Sequence, residues 1–391
     1  MEKTAKKLPS SVQSVISNND LLIQILVRLP PLSLILFKSV SKRWLSLIKD
    51  DVNVTFRRNP DPPSGLFLER MSLTNTSESY SCDFVPLDNR IPLLGPNFTF
   101  GPEVRHKHDV EILHSCNGLL LCRTYSKLYN HIYYEKLYVY NPSITNMFKV
   151  LPIPNIETYY KKYGCGGGVK MAFDPSKSPH YKVIYAEIVE RDMDDMDDMM
   201  VQLHTFSSET GNWSLCGHQF PEHSFQYFEG GVYWNDAIYW PIGEGKIFKL
   251  EIVNEYPVLT ALRTPLTLDL KVHYINNLFE SRGCLLLFCM DNACSQHFTI
   301  YEKRNVYSEW SLKYIVNLDD IIKPFPKRRW SECPYVFCIV LGEREEDSFM
   351  VMKLDKKVVQ YKIVSKTLCT ISDLGDGLIT GFEFIPSFAN V

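Results

Sequence analysis

A chain of 391 residues with 42 basic and 45 acidic side chains carries a net charge of −3, which gives no general pull toward a phosphate backbone or an anionic membrane. Nucleic acid is therefore excluded as a default partner. With 45% hydrophobic and 22% charged residues the composition is that of a folded protein long enough for more than one core, and 13% aromatics lean it toward strands.

The opening MEKTAKKLPSSVQS lacks an apolar h-region, so no signal peptide is read there and residues 1–15 are expected to be a disordered tail. Eleven cysteines, an odd number, then read as reduced thiols in the cytoplasm and/or nucleus. The run CLLLFCM at 284–290 is far below the ~18 residues of a membrane span, reads as a buried strand, and leaves no membrane partner expected.

Residues 16–60 form a first unit. Leu21, Ile25 and Leu29 recur at i, i+4, i+8 with Leu22 and Leu26 beside them, the broad apolar face of a short helix. Asn18, Asn19 and Asp20 supply N-cap chemistry, and Pro30 and Pro31 end the helix. Ser33 caps a second turn through Leu34, Phe37 and Val40, and Ser41 a third element carrying Trp44, Leu45 and Ile48. Three short helices so dense in leucine hold more apolar surface than they can enclose. That surface packs either on the rest of the chain or on another protein.

Residues 61–391 change texture to short β-prone runs separated by Gly, Asn, Pro and Asp. KLYVYNPSITNMFKVLP (136–152), VQLHTFSSETGNWSLCG (201–217), HFTIYEKRNVYSEWSLKY (297–314) and KVVQYKIVSKTLCTISDL (357–374) each read as strand, polar turn, strand. A second recurring piece, SCNGLLLCR (115–123), GGVYWNDAIYW (230–240) and RGCLLLFCM (282–290), reads as an inner strand entered by glycine. Inner strand plus outer hairpin, repeated, predicts a β-propeller of about six to eight blades.

Two resemblances sharpen this reading. The order DLLIQIL, Leu29-Pro30, Ser33-Leu34 and Val40 to Trp44 resembles an F-box, though Ser17-Asn18 stands where Leu-Pro is usual. SCNGLLLC, YVYNPSITNMFKVLP, MAFDPSKSPHYKVI, SETGNW and GGVYWNDAIYW follow the order of the plant F-box-associated domain, a kelch-like propeller, most clearly to about residue 320. The expected fold class is thus mainly β with a small all-α N-terminal module. The resemblance implies a substrate-recognition subunit of an SCF-type cullin-RING ubiquitin ligase. A Skp-type adaptor, and cullin through it, would bind at Leu21, Leu22, Ile25, Leu29, Pro30, Leu34, Val40 and Trp44, with an unknown target protein on the propeller. A non-degradative scaffold uses the same surfaces, and a propeller hydrolase would show carboxylates converging at the mouth.

Local motifs offer no chemistry of their own. GCGGGVKM (164–171) lacks the glycine and Ser/Thr of a phosphate loop at Val169 and Met171. Cys284, Cys289, Cys294 and His297 fall on what reads as strand, where alternate residues diverge, so no metal is expected. RDMDDMDDMM (191–200) lacks the ligand pattern of a calcium loop and reads as a solvated turn, and no catalytic residue or cofactor is expected.

Overall fold

The computed structural model describes residues 10–26, 28–29, 33–34, 37, 40–50, 62–73, 78–87, 110–127, 133–144, 147–152, 168–189, 199–225, 227–242, 246–252, 257–265, 275–290, 297–322, 334–374, 378–387, 389 and 391. Three helices come first: α1 (Ser10–Ser17), α2 (Asn19–Leu26) and α3 (Lys42–Asp50). Helix α1 begins inside the stretch read as tail.

Strands then build six antiparallel sheets. The first holds β1 (Gly65–Leu73) and β2 (Glu78–Pro86) with the last strand of the chain, β23 (Leu378–Phe384), in the order β2-β1-β23. The second is β3 (Val110–Cys116), β4 (Leu119–Lys127), β5 (Tyr133–Tyr140) and β6 (Phe148–Val150), and the third β7 (Val169–Ala172), β8 (Lys182–Val189), β9 (Met200–Ser207) and β10 (Asn212–Pro221). The fourth comprises β11 (Val232–Trp234), β12 (Ala237–Ile242), β13 (Lys246–Glu251) and β14 (Val258–Arg263). The fifth comprises β15 (Ile275–Ser281), β16 (Cys284–Met290), β17 (His297–Lys303) and β18 (Ser311–Asn317). Short helix α4 (Leu318–Ile322) leads to the sixth: β19 (Tyr335–Val340), β20 (Phe349–Leu354), β21 (Lys357–Lys362) and β22 (Thr367–Asp373).

The strands β3, β7, β11, β15, β19 and β23 neighbour one another around an axis, with β23 beside β3, so the sheets are the blades of a closed six-bladed propeller. Its core is a ring of six apolar seams, one between each pair of adjacent blades. Each of the four hairpins expected from sequence is the outer strand pair of a blade, β5-β6, β9-β10, β17-β18 and β21-β22.

The glycine-bearing repeats are not inner strands alone but run from the inner strand through a turn into the second, and only in GGVYWNDAIYW does an inner strand, β11, follow the glycines as expected. In SCNGLLLCR the inner strand β3 stops at Cys116, Asn117 and Gly118 turn with φ of 45° and 91°, and LLLC opens the second strand. Asn235-Asp236 and Arg282-Gly283 repeat that turn, all four with positive φ. Two consecutive left-handed residues are what a tight hairpin between twisted strands needs. The bulky runs are continuous because a second strand is covered on both faces. Leu285, Leu287 and Cys289 enter the seam with the fourth blade, while Leu286, Phe288 and Met290 enter the seam with the sixth.

The chain end locks over the second blade. Asn141 Nδ2 donates to the carbonyls of Ser387 at 3.1 Å and Ala389 at 2.8 Å, and the Ser387 amide donates to Ser143 Oγ at 2.9 Å. A Cβ at Gly118 would collide with Ser387 and lie 2.6 Å from the Ile385 carbonyl oxygen, on top of its positive φ. Gly118→Ala is expected to cost about 2 kcal/mol or more in urea unfolding, where Gly211→Ala, with open space around it, costs only its backbone strain.

Candidate functional site

The helical module is set by its caps. Asn18 Oδ1 accepts the amides of Asp20 at 2.9 Å and Leu21 at 3.3 Å, starting α2, and Ser41 Oγ accepts the Trp44 amide at 3.1 Å, starting α3. Arg43, unremarked in the sequence, ties α3 to the α1–α2 junction through Ile16 O at 2.6 Å, Ser17 O at 2.8 Å and Asn19 Oδ1 at 3.0 Å. Leu26, Leu34 and Ile48 form the enclosed core, with Ile23, Leu29, Phe37, Trp44 and Leu47 packed around them and the Phe37 and Trp44 rings edge to face at 5.2 Å.

The expected adaptor residues divide. Leu22 and Leu34 are enclosed, and Leu29 and Trp44 lean half-buried on the module's own core. Leu21, Ile25 and Val40 are 40%, 42% and 59% exposed. Adjacent residues on a helix point about 100° apart, so Leu22 turns inward while Leu21 and Ile25, one turn apart, stay outside together. Pro30 lies outside the described residues.

A second site was not read from the sequence. The inner strands enclose a central cavity of about 460 Å³ into which carboxylates converge. Glu69 reaches it from β1 and accepts the Ile112 amide at 2.7 Å, where a bulge in β3 frees that group; burial pushes its carboxyl up to about 8. Glu280, on β15, accepts the Gly283 amide at 2.7 Å, and burial raises it to about 7. Glu383, on β23, is raised to about 8 by burial and by the nearby Glu280. Glu111 differs, being held by Arg123 at 2.8 Å. Lys170, on β7, is 3% exposed, and burial lowers it to about 8 although Glu229 opposes that. His114 accepts the Met171 amide on Nδ1 at 3.2 Å, so its proton sits on Nε2, and burial first and Lys170 second hold it well below its usual value.

Elsewhere the expected chemistry disperses. Cys284 and Cys289 face opposite sides of β16 in different seams, and Cys294 is outside the described residues. Burial pushes the Cys116 thiol up to about 12, away from thiolate chemistry. Val169–Met171 of the glycine-rich segment are strand β7, while residues 164–167 and the acidic 191–198 run fall outside the described residues.

Comparison with known proteins agrees with this architecture. Residues 18–55 match the F-box domain model. The F-box protein At5g07610 of Arabidopsis thaliana is 30% identical over 428 residues, covering 98% of this chain and 94% of that one. F-box protein At5g03970 of the same plant is 25% identical over 78% of this chain and 71% of its own. Among solved structures, an acylaminoacyl peptidase of Pyrococcus horikoshii aligns with a TM-score of 0.37 at 12% identity, over 82% of this chain and 46% of that chain, too loose a likeness to bear on activity. With two capped helices, α2 and α3, within the matched residues, a propeller behind them and a relative aligned over nearly its whole length, the chain belongs to the F-box protein family.

Proposed function

We propose that the chain is the substrate receptor of an SCF-type cullin-RING ubiquitin ligase, working in the cytoplasm and/or nucleus. The helical module docks a Skp-type adaptor, and through it cullin, while the kelch-like propeller presents a target protein. The observation that carries this reading is the exposed apolar set Leu21, Ile25 and Val40 on a helical module in which Leu22, Leu26 and Leu34 are buried and Leu29 and Leu47 pack on its own core. Catalysis would then be by proximity, since holding a target's lysines beside a loaded conjugating enzyme makes the encounter effectively intramolecular. The chain itself contributes no reacting group.

Because Leu29 and Trp44 brace the module internally, the docking test belongs to the exposed residues. Leu21→Asp combined with Ile25→Asp is expected to weaken adaptor binding by about tenfold or more, with the circular dichroism spectrum of the propeller unchanged. Full-strength co-purification of adaptor by that double variant would overturn the docking assignment.

A further inference from the structure

Every charge on the wall of the central cavity is either answered from within the chain or held neutral. Arg123 pairs with Glu111 at 2.8 Å, and Glu229 lies close enough to Lys170 to favour its charged form. Burial keeps the proton on Glu69, Glu280 and Glu383 up to about 8, 7 and 8, and keeps His114 uncharged. Among the described residues no other Asp, Glu, Lys, Arg or His lines the space. A charged ligand would give up its hydration for a wall with no free counter-charge, a cost that a neutral ligand escapes.

What the wall offers instead is hydrogen bonding without a partner. His114, 8% exposed, accepts the Met171 amide on Nδ1 and keeps its Nε2–H unmet among the described residues. The Glu383 carboxyl has no hydrogen bond to a described residue, and Glu280 uses one oxygen on the Gly283 amide and keeps the other. These groups stand near one another. Ser115, next to His114 on β3, donates its hydroxyl to the Glu383 carbonyl, and Glu280 is close enough to Glu383 to raise it. A protonated carboxyl presents a donor and an acceptor side by side. Phe279, Tyr335 and Phe337 line the same space, the last two with rings 5.4 Å apart.

From this arrangement we infer that the central cavity binds a neutral monosaccharide. Its hydroxyls, each a donor and an acceptor, meet the Glu383 and Glu280 carboxyls and the Nε2–H of His114, and the C–H face of its ring lies on the aromatic side chains. A small amide would satisfy one carboxyl but has no C–H face for the rings. An aliphatic ligand would leave the buried polar groups unmet. At about 460 Å³ the space falls in the range of small-molecule sites. The inference rests on the propeller alone and stands or falls separately from adaptor docking.

The test is a ligand-detected NMR titration of the full chain, without adaptor, at pH ~6, where Glu280 and Glu383 hold their protons. The probes are glucose and galactose, each beside its uronate and its amino sugar. At least one neutral sugar is expected to bind about tenfold or more tighter than either of its charged counterparts, because a buried charge without a counter-charge is penalised. Glu383→Gln, which keeps a donor and an acceptor side by side, should hold that affinity within about threefold, and Glu383→Met, which keeps the length and loses both, should weaken it about tenfold. If Glu383→Met does not fold, the Gln variant and the charged counterparts carry the comparison. Binding of neither neutral sugar would overturn the assignment. So would a uronate or amino sugar binding as tightly as its neutral parent, which marks a charged site, loss of binding in Glu383→Gln, which marks an ionised carboxylate, or unchanged binding in Glu383→Met.

Discussion

A chain ending at Asp373 will not fold into a closed propeller. The deletion removes β23, the inner strand of the first blade, which pairs with β1 from Gly65↔Phe384 to Met71↔Leu378. It also removes Phe384, whose ring lies 5.6 Å from Phe67 and 5.5 Å from Phe84, from the seam between the first and second blades, and Ile379 from the seam between the sixth and first. Loss of one such buried aromatic alone costs about 3–5 kcal/mol, comparable with much of the ~5–15 kcal/mol total stability of a domain. The unpaired edge of β1 then becomes a template for other chains. The expected result is loss of the cooperative urea transition and association on size exclusion, with a synthetic peptide of residues 375–391 restoring both in trans. A monomeric truncated chain with a full-amplitude transition would show that the sixth blade closes the ring by other means.

The other large effect is on pH. Glu69, Glu280 and Glu383 hold their protons in the folded state up to about 8, 7 and 8, well above the ordinary carboxylate value. A folded-state value above the unfolded one means the native state binds the proton more tightly. The stability these groups contribute is therefore whole below about pH 4.5 and is lost as pH rises through 7 to 8. His114 works in the opposite direction, because it is held neutral and its contribution is lost as pH falls below about 6.5. Lys170, lowered to about 8, likewise loses its contribution as pH falls from above 10 toward 8. Glu69→Gln keeps an oxygen for the Ile112 amide and removes the charge, so it is expected to add about 3 kcal/mol at pH 8.5 and almost nothing at pH 5. Equal urea midpoints for variant and parent at pH 8.5 would show that the carboxyl is ionised at little cost.

Much of the fold was legible because its signals are local. Asn18 and Ser41 cap the helices at positions where side-chain oxygen and apolar period already coincide in the sequence. The outer hairpins are separated by polar turns that announce themselves. The runs LLLC and CLLLFC misled for a physical reason: burial on both faces marks a strand as covered but does not tell whether it is the first or second from the axis. The central cavity was not legible at all. Glu69, Glu111, Lys170, Glu280 and Glu383 are lone charges in separate strands, and only closure of the ring brings them together. The same non-local pairing hid the role of LITGFEF, which reads as an ordinary strand until its partner at the other end of the chain is known. On the helical module, periodicity found the apolar residues but could not divide Leu22 from Leu21, since that depends on where α3 lies.

The pairing of β1 with β23 also sets a schedule for synthesis. Roughly 300 residues separate the two strands, so at ~5–20 residues per second a ribosome exposes the inner edge of the β1–β2 hairpin for ~15–60 s before its partner emerges. Throughout that interval Leu66, Phe67 and Leu68, enclosed in the finished ring, have neither their final strand partner nor both seams. A nascent chain of this design is most in need of a holding chaperone near its beginning, and a pause late in translation lengthens the exposure of its earliest strands rather than its latest.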